Sequence, residues 1–101
     1  MRGILFVLHY RPNAFARARL GLVIPKKQAR NAVLRNTIKR QAREIFRSLG
    51  SGLPAVDLVL RLNAPADKPK RPAIAKDRAA RSAWHAEISS LFAQVSRKLN
   101  G

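Results

Sequence analysis

The chain has 101 residues, of which 21 are lysine or arginine and only five are acidic, so its formal net charge is +16. A protein with this charge repels itself, and a polyanionic partner is therefore expected. Apolar residues make up 47% of the sequence and recur with a regular period, which excludes a disordered basic tail. The length favours a single domain over residues 1–101.

Simple features of the sequence disfavour a membrane-spanning protein and a protein held together by disulfides or thiolate-bound metals. The first apolar run, residues 4–8, is far shorter than the roughly 18 residues of a membrane span, so no membrane partner is expected. The sequence has no cysteine, which removes disulfides and thiolate metal sites and is compatible with a reducing cytoplasm. We expect a soluble protein.

The first predicted elements are two β-strands. Apolar side chains alternate through residues 4–10, and Arg11-Pro12-Asn13 marks a turn. Residues 19–24 alternate in the same way, and Pro25 ends them. The short link predicts that the two strands pair as an antiparallel hairpin closed by residues 11–17.

A helix and a third strand follow. From Asn31, which can cap a helix, to Leu49 the apolar period becomes helical, and Gly50-Ser51-Gly52 and then Pro54 end the pattern. Residues 56–62 alternate as a third strand. This strand is predicted to run parallel to the second one, across the helix.

The last part of the chain is predicted to be a loop and a helix. Residues 64–76 are rich in proline and basic residues and are expected to form a flexible loop. Asp77 can cap a final helix, whose apolar positions are Trp84, Ile88, Leu91, Phe92, Val95 and Leu99. The fold class that follows is α+β, a two-layer sandwich of β-β-α-β-α order with a small mixed sheet.

The first helix has an apolar arc beside a basic one. At about 100° per residue the apolar arc carries Leu34, Ile38, Ala42, Ile45, Phe46 and Leu49, and the adjoining arc carries Arg35, Asn36, Lys39, Arg40, Arg43 and Arg47. Glu44 lies at its edge and can pair with Arg40 or Arg47. A basic face is most often merely solvated, but a row of neighbouring cations is destabilising by itself, which favours a polyanion-binding surface.

The segment Leu20-Gly21-Leu22-Val23-Ile24-Pro25-Lys26-Lys27, followed by Ala32-Val33-Leu34-Arg35-Asn36-Thr37-Ile38-Lys39-Arg40, resembles the signature of the bacterial ribonuclease P protein subunit. That pattern has a Gly-containing strand, a Lys-Lys pair and a helix with Ala-Val, Arg-Asn-Arg and Lys-Arg. Here the third residue of Arg-Asn-Arg is Thr37, which is not carried over as a phosphate contact. Family members usually begin with a helix and a short strand that this sequence does not contain, so a less complete cleft is expected.

The resemblance implies a subunit of a bacterial, cytoplasmic ribonucleoprotein that removes the 5′ leader of precursor tRNA. Its partners would be ribonuclease P RNA and precursor tRNA, and the RNA would hold the Mg²⁺ ions and perform catalysis. The five acids are scattered along the sequence, which independently disfavours a two-metal site in the protein. We expect no catalytic residue and no metal ligand in this chain.

Two sets of candidate RNA-binding residues follow. Those expected to contact RNA phosphates or sugars are Lys26, Lys27, Arg30, Arg35, Asn36, Lys39, Arg40, Arg43 and Arg47. The sheet face that carries Val7, His9 and Arg61, together with Leu5, Val23 and Val59, is expected to form the floor of a cleft for the single-stranded leader. The alternative is that these apolar residues are covered by the segment that family members have at their start.

Other functions remain open at this point. A basic ribosomal protein or a general RNA chaperone would share the charge and size, although not the signature. A major-groove DNA reader is disfavoured because the row offers few side chains for base edges apart from Asn36, so duplex DNA is not expected as a partner. The crossover between strands two and three would be right-handed by default, whereas the resemblance implies a left-handed one.

Overall fold

The computed structural model describes residues 1–15, 17–49, 53–66 and 78–100. The predicted helix terminator at residues 50–52, most of the predicted flexible loop at 64–76 and the predicted cap Asp77 lie outside these residues. The elements in chain order are β1 (Phe6–Pro12), β2 (Arg19–Val23), α1 (Ala32–Leu49), β3 (Val56–Leu62) and α2 (Arg78–Asn100). The predicted β-β-α-β-α order is confirmed.

The three strands form one mixed sheet in the order β1-β3-β2. The β1 strand is antiparallel to β3, with Phe6 opposite Leu62, and β2 is parallel to β3, with Leu20 opposite Leu58. The predicted parallel pairing of β2 and β3 is confirmed. The predicted β1–β2 hairpin is wrong, because β3 lies between the two strands.

The central position of β3 has a physical reason. Four of its seven residues are buried and only Arg61 is exposed, and a strand paired on both edges suits such a sequence. The link from β1 to β2 passes the start of β3, where the Asn13 N–H donates to the Ala55 carbonyl at 3.2 Å. Six residues, 13–18, reach farther than the roughly 10 Å that separates two strands lying on either side of a third.

The core lies between one face of the sheet and the two helices. Leu34, Ile38, Ala42 and Ile45 of α1 are buried, as the helical wheel predicts. Trp84, Ile88, Leu91, Phe92 and Val95 of α2 are buried as well. The sheet contributes Phe6, Leu8, Val56, Leu58, Leu60 and Leu62. This is the predicted two-layer α+β arrangement.

The ends of the elements are held by specific hydrogen bonds. The Val33 N–H donates to Asn31 Oδ1 at 2.7 Å, which confirms Asn31 as the N-cap of α1. Glu87 of α2 accepts hydrogen bonds from the N–H groups of Leu5 and Phe6 at 2.9 and 2.7 Å, so α2 fixes the start of β1.

In the described part of the chain, neither helix has the length and apolar character needed to cross a membrane. The handedness of the β2–α1–β3 crossover and the single domain stay predictions.

Candidate nucleic-acid interface

One side of α1 faces away from the core and carries a row of polar and basic side chains. We define this basic row as Asn36, Lys39, Arg40, Arg43 and Arg47. All of its members are exposed except Lys39, which is half-buried. Among the residues the structure describes, no ion pair neutralises the four cations, and the predicted pairing of Glu44 with Arg40 or Arg47 does not form. The row is therefore an uncompensated positive surface.

The basic row borders a groove between α1 and β2, with a volume of about 530 Å³. Lys39, Arg43 and Arg47 supply its cationic side, while the half-buried Leu20, Leu22 and Phe46 supply its apolar side. Sequence analysis did not find this apolar side. The available signal was the alternation in β2, which turns Leu20 and Leu22 toward the helix layer at the edge of the sheet.

Arg35 is oriented differently from its neighbours on the wheel. Its Nη1 donates to the carbonyls of Ala29 and Arg30 at 2.8 and 2.9 Å, so part of the guanidinium is occupied by the protein itself. Arg35 thereby holds the segment that enters α1. The structure gives Arg35 a positioning role, and only its remaining N–H groups are available to a phosphate.

The segment before α1 presents further cations. A turn forms where the N–H groups of Gln28 and Ala29 both donate to the Pro25 carbonyl, at 3.0 and 3.1 Å, and Lys26 and Lys27 are exposed in that turn. Arg30 is also exposed. These three exposed side chains extend the positive surface beyond the basic row, toward the start of α1. Backbone N–H groups at the start of a helix attract anions as well.

The face of the sheet that points away from the core, called here the open face, is formed by three rows in register. One row holds Val7, Arg61 and Val23, the next His9, Val59 and Gly21, and the third Arg11, Asp57 and Arg19. The predicted leader-binding residues Val7, His9 and Arg61 are thus brought to one face. His9 and Arg61 are exposed, but Val7 is buried and offers little surface.

Gly21 leaves a gap in the middle row of the open face. A Cβ atom there would come no closer than 3.7 Å to Val59 Cγ2, an ordinary van der Waals distance. The described glycines have no positive φ angle, so neither sterics nor backbone conformation requires glycine at this position. A glycine in a strand without such a requirement is typical of close approach by a ligand.

The third row carries an ion pair that the sequence did not reveal. Arg19 donates from Nε and Nη2 to the two carboxylate oxygens of Asp57 at 2.8 and 2.9 Å, and Asn13 Nδ2 donates to Oδ1 at 2.8 Å. The Arg19 hydrogen bonds, followed by the one from Asn13, lower the pKa of Asp57 from its usual 3.8 to about 2. The three residues come from the β1–β2 link, β2 and β3, so they join separate parts of the sheet.

The lowered pKa predicts a specific acid sensitivity. Because the pKa of Asp57 is lower in the folded protein, its contribution to stability is fully present above 3.8 and is lost as the pH falls toward about 2. Asp57→Asn should flatten the dependence of the unfolding free energy on pH in that window, as measured by denaturant titration at each pH. Arg19→Gln should flatten it too, and profiles parallel to that of the wild type would contradict the interpretation.

The described residues do not offer an evident metal site. No group of three or more histidine, aspartate or glutamate side chains comes together among them. Asp57 is engaged by Arg19 and Asn13, and Glu87 by two backbone N–H groups. The oxygen donors that Mg²⁺ prefers are therefore separated or already hydrogen-bonded in this part of the chain.

Comparison with known proteins decides the family. The family model described as Ribonuclease P matches residues 1–86. The chain belongs to this family. It is 52% identical over 77 residues to the ribonuclease P protein component of Azoarcus sp., an alignment that covers 76% of this chain and 64% of that protein. The corresponding protein of Bordetella parapertussis is 42% identical over 101 residues, covering 95% and 77%.

Solved structures agree with the ribonuclease P family assignment. The RNase P protein of Staphylococcus aureus superposes with a TM-score of 0.70 at 25% identity, covering 94% of this chain and 78% of that one. The RNase P protein from Thermotoga maritima gives 0.65 at 26% identity, covering 93% and 80%. The chain spans slightly less than two thirds of the length of the Azoarcus and Aromatoleum aromaticum proteins, 64% of each.

Proposed function

We propose that this protein is the protein subunit of a bacterial ribonuclease P and assists the removal of the 5′ leader from precursor tRNA in the cytoplasm. Its partners are ribonuclease P RNA and precursor tRNA. Membership of the family and the uncompensated basic row of α1 support this role. The basic row, with Lys26, Lys27 and Arg30, binds phosphates of ribonuclease P RNA, and Arg35 positions the segment between them.

The chemistry of cleavage belongs to the RNA partner in this proposal. Mg²⁺ held mainly by the RNA supplies the activated water and the stabilisation of charge on the phosphate. The protein contributes binding and orientation, for which guanidinium groups are suited because they bind phosphate oxygens in pairs. No residue of this chain is assigned a catalytic role.

The open face is proposed as the surface for the single-stranded leader. His9 offers a ring on which a base can stack, Arg61 offers a cation beside it, and the gap at Gly21 lets the strand approach the sheet. Val23, 39% exposed in the same row as Arg61, supplies the apolar part of the floor, to which the buried Val7 adds little surface. This division assigns the two RNA segments to different sides of the molecule.

Reconstitution tests the proposed function. The wild type is combined with a bacterial ribonuclease P RNA at low Mg²⁺, and cleavage of a precursor tRNA with a long 5′ leader is followed. We expect the wild type to stimulate cleavage at the correct site and the Lys39→Ala/Arg43→Ala/Arg47→Ala variant to lose most of that stimulation. A folded wild type that fails to stimulate cleavage, yet anneals unrelated RNAs, would favour a general RNA chaperone or a ribosomal protein.

The role of the open face has its own test. Gly21→Leu places a side chain over the middle row, whereas Gly21→Ala adds a methyl group that the fold accommodates. We expect the leucine variant to bind ribonuclease P RNA normally but to lose the preference for long-leader over leaderless substrate, and the alanine variant to stay close to the wild type. Equal leader preference in all three proteins would overturn leader binding on this face.

A further inference from the structure

Phe15 and Arg19 form a stack on the link between β1 and β2. The Arg19 Cζ atom lies 3.9 Å from the centroid of the Phe15 ring, so the guanidinium covers one face of the ring. The guanidinium is itself fixed by its two hydrogen bonds to Asp57, at 2.8 and 2.9 Å. An aromatic ring outside the core is thus held against a cation that cannot turn freely.

The backbone that carries Phe15 is fixed as well. The Phe15 N–H donates to Asn13 Oδ1 at 2.9 Å, while Asn13 Nδ2 donates to Asp57 Oδ1 at 2.8 Å and to the Arg17 carbonyl at 3.3 Å. Phe15 is nevertheless 55% exposed. The hydrogen bonds therefore hold a large apolar side chain in water, which is the opposite of what core packing would produce.

The stack lies at one end of the open face. Arg19 and Asp57 belong to the row that follows His9 and Val59 along the sheet, with Arg11 in the same row. Successive rows are roughly 6.6 Å apart along a strand, and β1 and β2 are roughly 10 Å apart across β3, so the stack lies within a few nucleotides of His9. A single strand that crosses the open face diagonally, from His9 on β1 toward the start of β2, reaches the stack.

We propose that the Phe15–Arg19 stack is a platform for an unpaired nucleobase of single-stranded RNA, in addition to the open face itself. This inference rests on the proposed function, since it extends the path of the same RNA strand. The base stacks on the ring, and such stacking tolerates any base because each has a π face. Arg19, Asp57 and Asn13 act as positioning residues, and the Arg19 N–H groups not bound to Asp57 face a passing phosphate.

The test uses fluorescently labelled single-stranded oligoribonucleotides, lengthened one nucleotide at a time, and the full-length protein. Once the oligonucleotide is long enough to reach the platform, Phe15→Ala should bind about tenfold more weakly than the wild type. Phe15→Trp should retain the affinity, whereas Phe15→Leu, apolar but without a π face, should not. Ile4→Ala, at a position 89% exposed, is the control for loss of a surface apolar group and should bind like the wild type.

Salt dependence separates stacking from charge. None of the Phe15 substitutions changes a charge, so the slope of affinity against salt concentration should stay that of the wild type while the affinity falls equally at every concentration. In Phe15→Trp the new indole should be quenched on RNA binding. Its signal is measured as the difference from the wild type, whose single tryptophan, Trp84, is 2% exposed.

The outcomes distinguish failure of the Phe15–Arg19 platform from failure of the proposed function. If the wild type binds the oligonucleotides and stimulates cleavage, but Phe15→Ala binds them as tightly at every length, the platform is wrong and the proposed function stands. The platform is also wrong if Phe15→Leu retains the wild-type affinity, or if the indole of Phe15→Trp is not quenched when RNA binds. If the wild type binds no single-stranded RNA, the platform and leader binding both fail, and the cleavage assay then reports on the rest of the proposed function.

Discussion

Replacing Lys39, Arg43 and Arg47 by alanine should weaken binding of ribonuclease P RNA and make the remaining affinity less sensitive to salt. Each phosphate contact releases counterions, so three lost contacts should make the slope of log affinity against log salt shallower by about 2 to 3. The affinity near 0.1 M salt should fall by about two orders of magnitude. Filter binding or fluorescence anisotropy over a salt series measures both quantities.

The triple substitution should not unfold the protein. Alanine is the strongest helix former, and removing neighbouring uncompensated cations relieves a repulsion of a few tenths of a kcal/mol per pair. Arg2→Ala/Arg97→Ala/Lys98→Ala removes the same number of charges at exposed positions outside α1. If this control reduces the slope as much as the α1 variant does, net charge rather than the basic row governs binding, and the proposed interface is wrong.

The periodic parts of this fold could be predicted from the sequence. The bounds of β3 and the buried face of α2 follow from side-chain alternation and helical period, which reflect burial on one face. The basic row follows from the same geometry, because a wheel places Lys39, Arg43 and Arg47 on one side of the helix whatever it packs against. Residues on the surface of a regular element are therefore the predictable part of the candidate site.

Strand order was not predictable in the same way. Proximity along the chain favours the β1–β2 hairpin. A strand with many buried residues, however, is most stable when it pairs on both edges, and β3, the most buried strand, is the central one. Arg35 shows the same limit at the level of one side chain. The wheel places Arg35 on the basic arc of the helix. In the structure its guanidinium is directed to the carbonyls of Ala29 and Arg30, which belong to the irregular segment before α1.

The Phe15–Arg19–Asp57 cluster could not be predicted from sequence patterns, for a related reason. Its members are separated by up to 42 positions in the sequence and meet only because the β1–β2 link crosses the start of β3. A wrong strand order removes that crossing and with it the cluster. The members of this cluster could not be found from the sequence pattern because their proximity depends on the order of the strands.

Phe92→Ala should be the most destabilising single substitution discussed for this protein. Phe92 is 1% exposed and its ring lies 6.4 Å from that of Phe46, centroid to centroid, where α2 packs on α1. Truncation of a buried phenylalanine costs about 3–5 kcal/mol through lost burial and the cavity left behind. For a domain with a total stability of roughly 5–15 kcal/mol this is a large share, measurable by denaturant unfolding.

The same change at an exposed phenylalanine gives the matched control. Phe15→Ala loses only the contact with Arg19 and should change the unfolding free energy by less than about 1 kcal/mol. Equal losses at the two positions would contradict the assignment of Phe92 to the core.

Loss of RNA binding in Phe92→Ala should differ in kind from the loss in the triple alanine variant. Phe46 links the core to the groove beside the basic row, so Phe92→Ala affects RNA binding through the population of folded protein rather than through a missing contact. A partner that binds only the folded state restores that population by mass action. Phe92→Ala should therefore bind with lower apparent affinity but with the wild-type salt slope, because its cations are intact. Saturating RNA should restore its folded fraction, whereas the triple variant should be folded without RNA and should have a shallow slope.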